Sequence, residues 1–287
     1  MRQIVVISGK GGTGKTVLSG ALAGLARRKV MADCDVDAAN LHLLLKPRLL
    51  SREKFFSGRI ARIDRRICKK CGRCREVCRF KAISESYRVD EIACEGCDYC
   101  LRVCPHRAVK MEERQAGECF LSDTPYGLLV HARLFAGQPH SGKLVTRIRK
   151  TAEAIARRDE LDYIIIDGPP GIGCPLMAAL SGTDCALVVG EPTLSGLSDA
   201  ARVMEVAGHF KIPFKLVVNK WDLNPEMTEA LEGLCREKGG EVAGRLPFDR
   251  LVVETMVRGR ILPQTARGAM REELEKIWHS LSRAGGN

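Results

Sequence analysis

Two stretches of this 287-residue chain repeat one another at an offset of 26: CKKCGRCREVCRFKAI at 68–83 and CEGCDYCLRVCPHRAV at 94–109. Each spells C-x2-C-x2-C-x3-C, through Cys68, Cys71, Cys74 and Cys78, then through Cys94, Cys97, Cys100 and Cys104. The chain has 13 cysteines. In a reducing compartment that number argues against disulfides and for metal ligation or redox chemistry. The constant offset implies a duplicated unit with a pseudo-twofold axis. C-x2-C pairs also make zinc sites, and eight cysteines suffice for two four-ligand zinc centres; zinc does not require the three-plus-one spacing twice over.

Elsewhere the pattern changes. Short apolar runs suited to buried parallel strands occur at 3–8, 29–33, 163–167, 185–193 and 214–220, with helix-like stretches at 14–28, 198–210, 225–238 and 270–283. Such alternation predicts an α/β domain, a mostly parallel, doubly wound sheet covered on both faces. It stops between 59 and 114, so the expected division is a main domain of 1–58 and 115–287 with 59–114 inserted in it.

GKGGTGKT, residues 9–16, follows the first strand-like run and precedes a helical pattern. It fits G-x-x-x-x-G-K-[ST] in the strand–loop–helix setting that a P-loop requires. Glycines 9, 11, 12 and 14 let the backbone turn its N–H groups onto phosphate oxygens, and the helix N-terminus adds positive potential. Gly11, Gly12, Thr13, Gly14, Lys15, Thr16 and Val17 are the expected nucleotide contacts, Lys15 on the β- and γ-phosphates and the Thr16 hydroxyl on Mg2+. A chance glycine-rich turn is the competing reading.

With Lys10 added, the loop resembles that of the MinD/ParA family of deviant Walker-A ATPases, which includes the nitrogenase iron protein. The resemblance covers nearly the whole chain. It implies a homodimer with nucleotide at its interface, Lys10 reaching the partner's nucleotide. ADCDVDAANLH (32–42) looks like the first switch, with Asp35 orienting or activating the attacking water and Asp33 or Asp37 near the magnesium shell. IIIDGPPGIGCP (164–175) looks like the second, Asp167 holding the metal's water and GPPG sensing the γ-phosphate. VVNKWD (217–222) sits where the family reads the base, which makes Asn219 and Lys220 expected contacts. It also spells N-K-x-D, the guanine signature of GTPases, so family likeness favours ATP while the motif leaves GTP open. LPFD (246–249), with Pro247 and Asp249, matches a loop that packs on the base.

The repeated cysteine spacing is that of bacterial two-cluster ferredoxins. In such a unit three thiolates wrap one cluster and the fourth is swung toward the other. The expected ligands are Cys68, Cys71, Cys74 and Cys104 for one four-iron, four-sulfur (4Fe-4S) cluster, and Cys94, Cys97, Cys100 and Cys78 for the second. Pro105 follows the second run as the pattern expects, whereas Arg79 follows the first. Of the other five cysteines, Cys34, Cys185 and Cys235 read as packing residues. Cys174 lies seven residues after Asp167, where the resemblance to the iron protein suggests contact with a third cluster at the interface, together with Cys119. Residues 117–145 resemble a stretch of ferredoxin-containing MinD-like proteins, through TPYGLLVHARL and SGKLV; His131 and Lys143 are its polar residues of note.

The net charge is +11, and fifteen Lys/Arg against nine Asp/Glu fall in 59–114. That excess screens buried cluster charge or forms a docking face for an acidic redox partner; nucleic acid is the weaker alternative. Nothing approaches a membrane span, and an apolar run starting at residue 3 leaves no room for a leader, so a cytoplasmic protein is expected. The function these features imply is an ATP-binding, ATP-hydrolysing iron–sulfur protein. Its nucleotide-dependent dimer rearrangement couples to electron transfer toward an unidentified redox partner. One alternative is a cluster-assembly ATPase of Mrp type, although only Cys235 follows Cys185 and the C-terminal C-x-x-C of that group is absent. The other is a positioning ATPase like MinD or ParA. Met270, Leu274, Ile277, Trp278 and Leu281 share a face of the last helix, which suits packing on the sheet better than membrane binding.

Overall fold

The computed structural model describes residues 1–138 and 141–282. In chain order the elements are β1 (Arg2–Ser8), α1 (Lys15–Leu25), β2 (Lys29–Asp33), α2 (Leu41–Leu45), β3 (Arg48–Ile63), α3 (Arg73–Glu76), α4 (Tyr99–Arg102), β4 (Val109–Thr124) and β5 (Gly127–Leu134). There follow α5 (Ser141–Arg158), β6 (Tyr163–Pro170), α6 (Cys174–Leu180), β7 (Cys185–Gly190), α7 (Leu194–His209), β8 (Phe214–Asn219), α8 (Pro225–Glu237), β9 (Glu241–Leu246), α9 (Arg250–Val257), α10 (Leu262–Thr265) and α11 (Gly268–Ser282). The sheet order is β3-β4-β5-β2-β6-β1-β7-β8-β9. The chain divides into two compact units, one of Met1–Glu53, Cys119–Arg133 and Ser141–Asn287, the other of Lys54–Glu118 and Leu134–His140. The edges at Lys54 and Glu118 lie a few residues outside the expected 59–114, because β3 and β4 each run 16 residues and belong partly to both units, and Leu134–His140, expected in the main domain, groups with the second unit.

In the first unit, β1 pairs in parallel with β6 and β7, β2 with β6 and β5, and β8 with β7 and β9. The mostly parallel α/β sheet expected from the sequence is present. Ile4 to Ile7 are fully buried, as a strand covered on both faces must be. Ile4, Val6, Met31, Ile165, Leu187 and Val217 join Leu18 and Leu22 of α1 and Leu274 and Ile277 of α11 in one core cluster. The α11 stripe is packed as expected, Met270, Leu274, Ile277 and Leu281 being buried; Arg283, the end of the expected helix, lies outside the described residues. Alternation along each strand puts Val5, Ile7, Ala32 and Ile166 on the opposite face, where α5 and α6 pack.

Helix starts follow local chemistry. Thr193 caps α7 by accepting the Gly196 N–H at 2.9 Å, and Asn224 caps α8 by accepting that of Met227 at 3.1 Å. By contrast α1 follows Gly14, at φ 94°, with no side-chain cap, so its first N–H groups face the loop uncapped.

The second unit has little regular structure, and its repeat is written in hydrogen bonds. Cys68 N–H donates to Asp64 O at 2.9 Å, and Cys94 N–H, 26 residues on, donates to Asp90 O at 3.1 Å. Asp64 N–H reaches Ala108 O at 2.8 Å while Asp90 N–H reaches Ala82 O at 2.7 Å, each half bonding the other. Lys70 and Gly96, Gly72 and Asp98, and Lys81 and Arg107 are pairs at the same offset, and all six have positive φ. The four-residue helices α3 and α4 correspond likewise.

Candidate functional site

In the first unit a cavity of about 520 Å3 opens over the P-loop. Lys10 to Leu18, Asp35, Asn219, Lys220 and Pro247 line it, and Leu43, Val252, Val253 and Met256 supply an apolar wall. The cavity thus gathers Gly11, Gly12, Thr13, Gly14, Lys15, Thr16, Val17, Asn219, Lys220 and Pro247 as the sequence grouped them. Asp249 is not among its lining: its carboxylate accepts the Leu251 N–H at 2.8 Å and caps α9.

Lys15, buried, extends its ammonium to Asp167 Oδ1 at 3.1 Å and Asp35 Oδ2 at 3.4 Å. Burial works against its charge, but the carboxylates of Asp167 and Asp35 outweigh that and hold its pKa above the ordinary lysine value. Asp33 and Asp167 are direct partners across β2 and β6, both fully buried. Burial, with the Asp167 charge added, pushes Asp33 well above the usual carboxylate range. Asp33 accepts the N–H groups of Asp35 and Leu41, each at 3.2 Å, and so ties together the loop that carries Asp35. Burial also raises Asp35, against the pull of Lys15. Ser19 donates to Asp167 Oδ1 at 2.9 Å, while the buried Asp167 Oδ2 has no hydrogen-bond partner among the described residues. An orphaned carboxylate oxygen beside a P-loop fits a divalent cation or its water. Asp37 is exposed.

Lys10 Nζ meets Ser195 Oγ at 3.0 Å and Glu191 at 3.6 Å, and Glu191 also holds Lys220 at 2.5 Å. Asn219 Nδ2 donates to Thr13 O at 2.8 Å, locking the end of β8 to the loop. Asp222 of the N-K-x-D string accepts the Phe248 N–H at 2.6 Å. Neither Glu191 nor this bond is marked in the sequence; Glu191 lies inside the run 185–193, just past the end of β7, and carries no motif.

The eight repeat cysteines fall into two cavities of the second unit. Cys68, Cys71, Cys74 and Cys104 line one, and Cys78, Cys94, Cys97 and Cys100 line the other. Each cavity therefore takes three thiols from one repeat and the fourth from its twin. Cys78 Sγ receives the Ala82 N–H at 3.4 Å, and Cys104 Sγ that of Ala108 at 3.3 Å. Burial, with the neighbouring Cys68 and Cys104, raises the Cys74 thiol; burial with Cys94 pushes Cys100 up to about 11. Among the described residues no three His, Cys, Asp or Glu close on a point that would hold a single metal ion. The thiols surround a volume, and N–H donors aimed at Sγ favour the thiolate, so the donor set fits an iron–sulfur cluster.

Of the remaining residues, Cys174 is exposed at the start of α6 and Cys119 is half-buried, pushed up to about 11 by burial. His131 is packed rather than poised: it stacks on Phe120 at 5.0 Å and His42 at 6.0 Å, and pairs with Ser122 Oγ at 3.0 Å. Lys143 is exposed. No helix among the described residues is long and apolar enough to cross a membrane.

A glycine loop between a buried parallel strand and an uncapped helix, with its lysine held by carboxylates of β6 and of the loop after β2, defines a P-loop nucleotide-binding α/β domain. The family model described as the CobQ/CobB/MinD/ParA nucleotide binding domain matches residues 4–262, and the chain belongs to this family. Uncharacterized protein MJ0578 of Methanocaldococcus jannaschii is 36% identical over 225 residues, covering 77% of this chain and 79% of that one. The iron-sulfur cluster carrier protein of Pyrococcus furiosus is 28% identical over 122 residues, 38% of this chain and 41% of that one. The septum site-determining protein MinD of Pyrococcus horikoshii, solved with Mg-ADP, has the same fold at TM-score 0.61 and 16% identity, covering 98% and 95% of the chains.

Proposed function

We propose that the chain is an ATP-hydrolysing iron–sulfur protein in which nucleotide-dependent rearrangement of a homodimer is coupled to electron transfer through two 4Fe-4S clusters. The second unit then serves as an inserted ferredoxin-type domain. One observation carries this reading: the eight cysteines divide three-plus-one into two crossed quartets, in a chain whose other unit is a P-loop domain.

The residues supply the following chemistry. Backbone N–H groups of 11–16 and the start of α1 bind the phosphates, and Lys15 exchanges its carboxylate partners for β- and γ-oxygens. Thr16 and the orphaned oxygen of Asp167 would hold Mg2+ and its water, and the bound ion would supply positive charge against the phosphates. Asp35 orients the attacking water, and a carboxyl raised by burial is suited to take its proton. Asn219 and the apolar wall of Val252, Val253 and Met256 receive the base. Asp222, the residue that would pair with guanine, is not among the cavity's lining, which favours adenine. Lys10 reaches the partner subunit's nucleotide, as the family resemblance implies, so that the nucleotide joins the subunits. The clusters, when bound, supply one-electron chemistry; the chain's own part is to hold them on the two quartets and donate N–H bonds to Cys78 and Cys104.

Anaerobic purification followed by metal analysis and electron paramagnetic resonance with and without ATP tests the proposal. About eight irons per chain and a nucleotide-sensitive signal from the reduced protein are expected. Zinc in place of iron removes the electron-transfer reading, and an iron signal indifferent to ATP removes the coupling.

Likeness to the Pyrococcus iron-sulfur cluster carrier favours a second reading, ATP-driven cluster delivery. It predicts that iron leaves the protein for an acceptor when ATP is hydrolysed, whereas an electron carrier retains its iron through turnover.

A further inference from the structure

The two cysteine cavities are built from equivalent positions, and at those positions they carry opposite charge. Lys69 and Arg73 line the cavity of Cys68, Cys71, Cys74 and Cys104. Glu95 and Tyr99, each 26 residues later, line that of Cys94, Cys97, Cys100 and Cys78. His106 faces the first where Phe80 faces the second. All four substituted positions 69, 73, 95 and 99 are exposed, and none of the three charged ones takes part in an ion pair among the described residues. The other carboxylate of the second cavity, Asp98, is paired with Arg59 at 3.1 Å. The duplication thus preserves the ligand frame and swaps the local field.

On the iron–sulfur reading above, we infer that Lys69 and Arg73 make the Cys68, Cys71, Cys74 and Cys104 site the one reduced first, and that Glu95 holds its twin at lower potential. Reduction adds one negative charge to a cluster without bond or proton change. A neighbouring cation stabilises that charge and a neighbouring carboxylate opposes it. The electron comes from an external one-electron reductant, and it settles on the cationic side of the pair. Because the charges stand on exposed side chains, raised ionic strength should narrow the difference.

The test is a potentiometric titration of the anaerobic holoprotein, dithionite as reductant, followed by electron paramagnetic resonance. Cys104→Ser, which removes a ligand from the first quartet, identifies that site's signal. The wild type is expected to show two resolved steps, the first-quartet signal appearing at the higher potential. The pair Lys69→Glu and Arg73→Tyr should lower that step toward the other, and Glu95→Lys with Tyr99→Arg should raise the second. Both pairs together should invert the order, while Lys69→Arg preserves it. Iron content separates the two levels of inference. If every charge variant keeps about eight irons and the steps coincide or ignore the swaps, the charge inference is overturned and the cluster reading stands. If zinc occupies the sites, both fall.

Discussion

Cys78 and Cys104 stand 26 residues apart and occupy the same place in the two halves of the second unit: each Sγ accepts the backbone N–H of the residue four positions later, at 3.4 and 3.3 Å. Each also lies in the cavity formed by the other repeat's first three cysteines. Every quartet is therefore closed by a residue from outside its own repeat, and neither half can hold a complete set of four thiols alone.

That crossing makes a direct prediction. Cys104→Ser should remove about half of the iron, from about eight to about four per chain, and the residual signal should be that of the Cys94, Cys97, Cys100 and Cys78 site. Cys78→Ser should leave the complementary signal. Uncrossed ligation would reverse the two assignments, and Cys68→Ser settles which holds, because crossing requires it to behave like Cys104→Ser.

In the nucleotide cavity the roles of Lys15 and Asp35 should separate kinetically. Lys15→Ala removes a buried cation from between Asp35 and Asp167, so nucleotide binding should be lost and the unpaired carboxylates should lower stability. Asp35→Asn keeps the shape and should retain bound ATP while cutting turnover by about 10^2- to 10^4-fold. Equilibrium binding of a fluorescent ATP analogue beside a phosphate-release assay distinguishes the two. Equal loss of binding in both variants would exclude Asp35 from the hydrolytic step.

What the sequence made legible follows from the physics of each segment. β1, β2, β6 and β7 are buried on both faces and show as apolar runs, and β8 does so apart from Lys215. β3, RLLSREKFFSGRIARI, is exposed along most of its length and interrupted by charges, so no run betrays it. The basic helix α5 shows its apolar stripe of Leu144, Val145, Ile148, Ala152 and Ile155 only when read at helical spacing across the intervening cations Arg147, Arg149 and Lys150. At the site, the glycine loop and the cysteine spacing are local patterns and were readable. The Asp33 bonds to Asp35 and Leu41 and the cap formed by Asp249 lie in or beside the quoted stretches, but no spacing spells which carboxylate accepts which N–H, and Glu191, which grips both Lys10 and Lys220, belongs to no motif.

His131 should impose an acid dependence on stability. Burial, with the nearby His42, lowers its pKa to about 4, below the roughly 6.5 of an unfolded histidine. Between those values the unfolded chain binds the extra proton, so stability rises with pH there; the stabilising difference is complete above about 6.5 and is lost progressively as pH falls toward 4. His131→Phe preserves a ring against Phe120 and has nothing to titrate. Thermal melts from pH 4 to 7.5 should show a shallower fall for the variant, and parallel curves would remove His131 as the source.

Gly14 offers the sharpest packing test, because two separate costs meet at one atom. Its φ of +94° is a conformation that side-chain-bearing residues rarely adopt, and a Cβ there would lie 2.3 Å from Asn219 Nδ2. Left-handed backbone costs an ordinary residue about 1–2 kcal/mol, and the overlap would also displace the amide that donates to Thr13 O at 2.8 Å. Gly14→Ala should thus lower the melting temperature and weaken ATP binding by at least about tenfold, the equivalent of roughly 1.4 kcal/mol. Asn219→Ala alone loses the Thr13 bond, about 1 kcal/mol. In the double variant the overlap is gone and only backbone strain and the lost bond remain. Its destabilisation should therefore be smaller than the sum of the single effects, by about 1 kcal/mol or more for residues in direct contact. Strict additivity would mean that the backbone alone dictates glycine at this position, and that Asn219 holds the loop without shaping it.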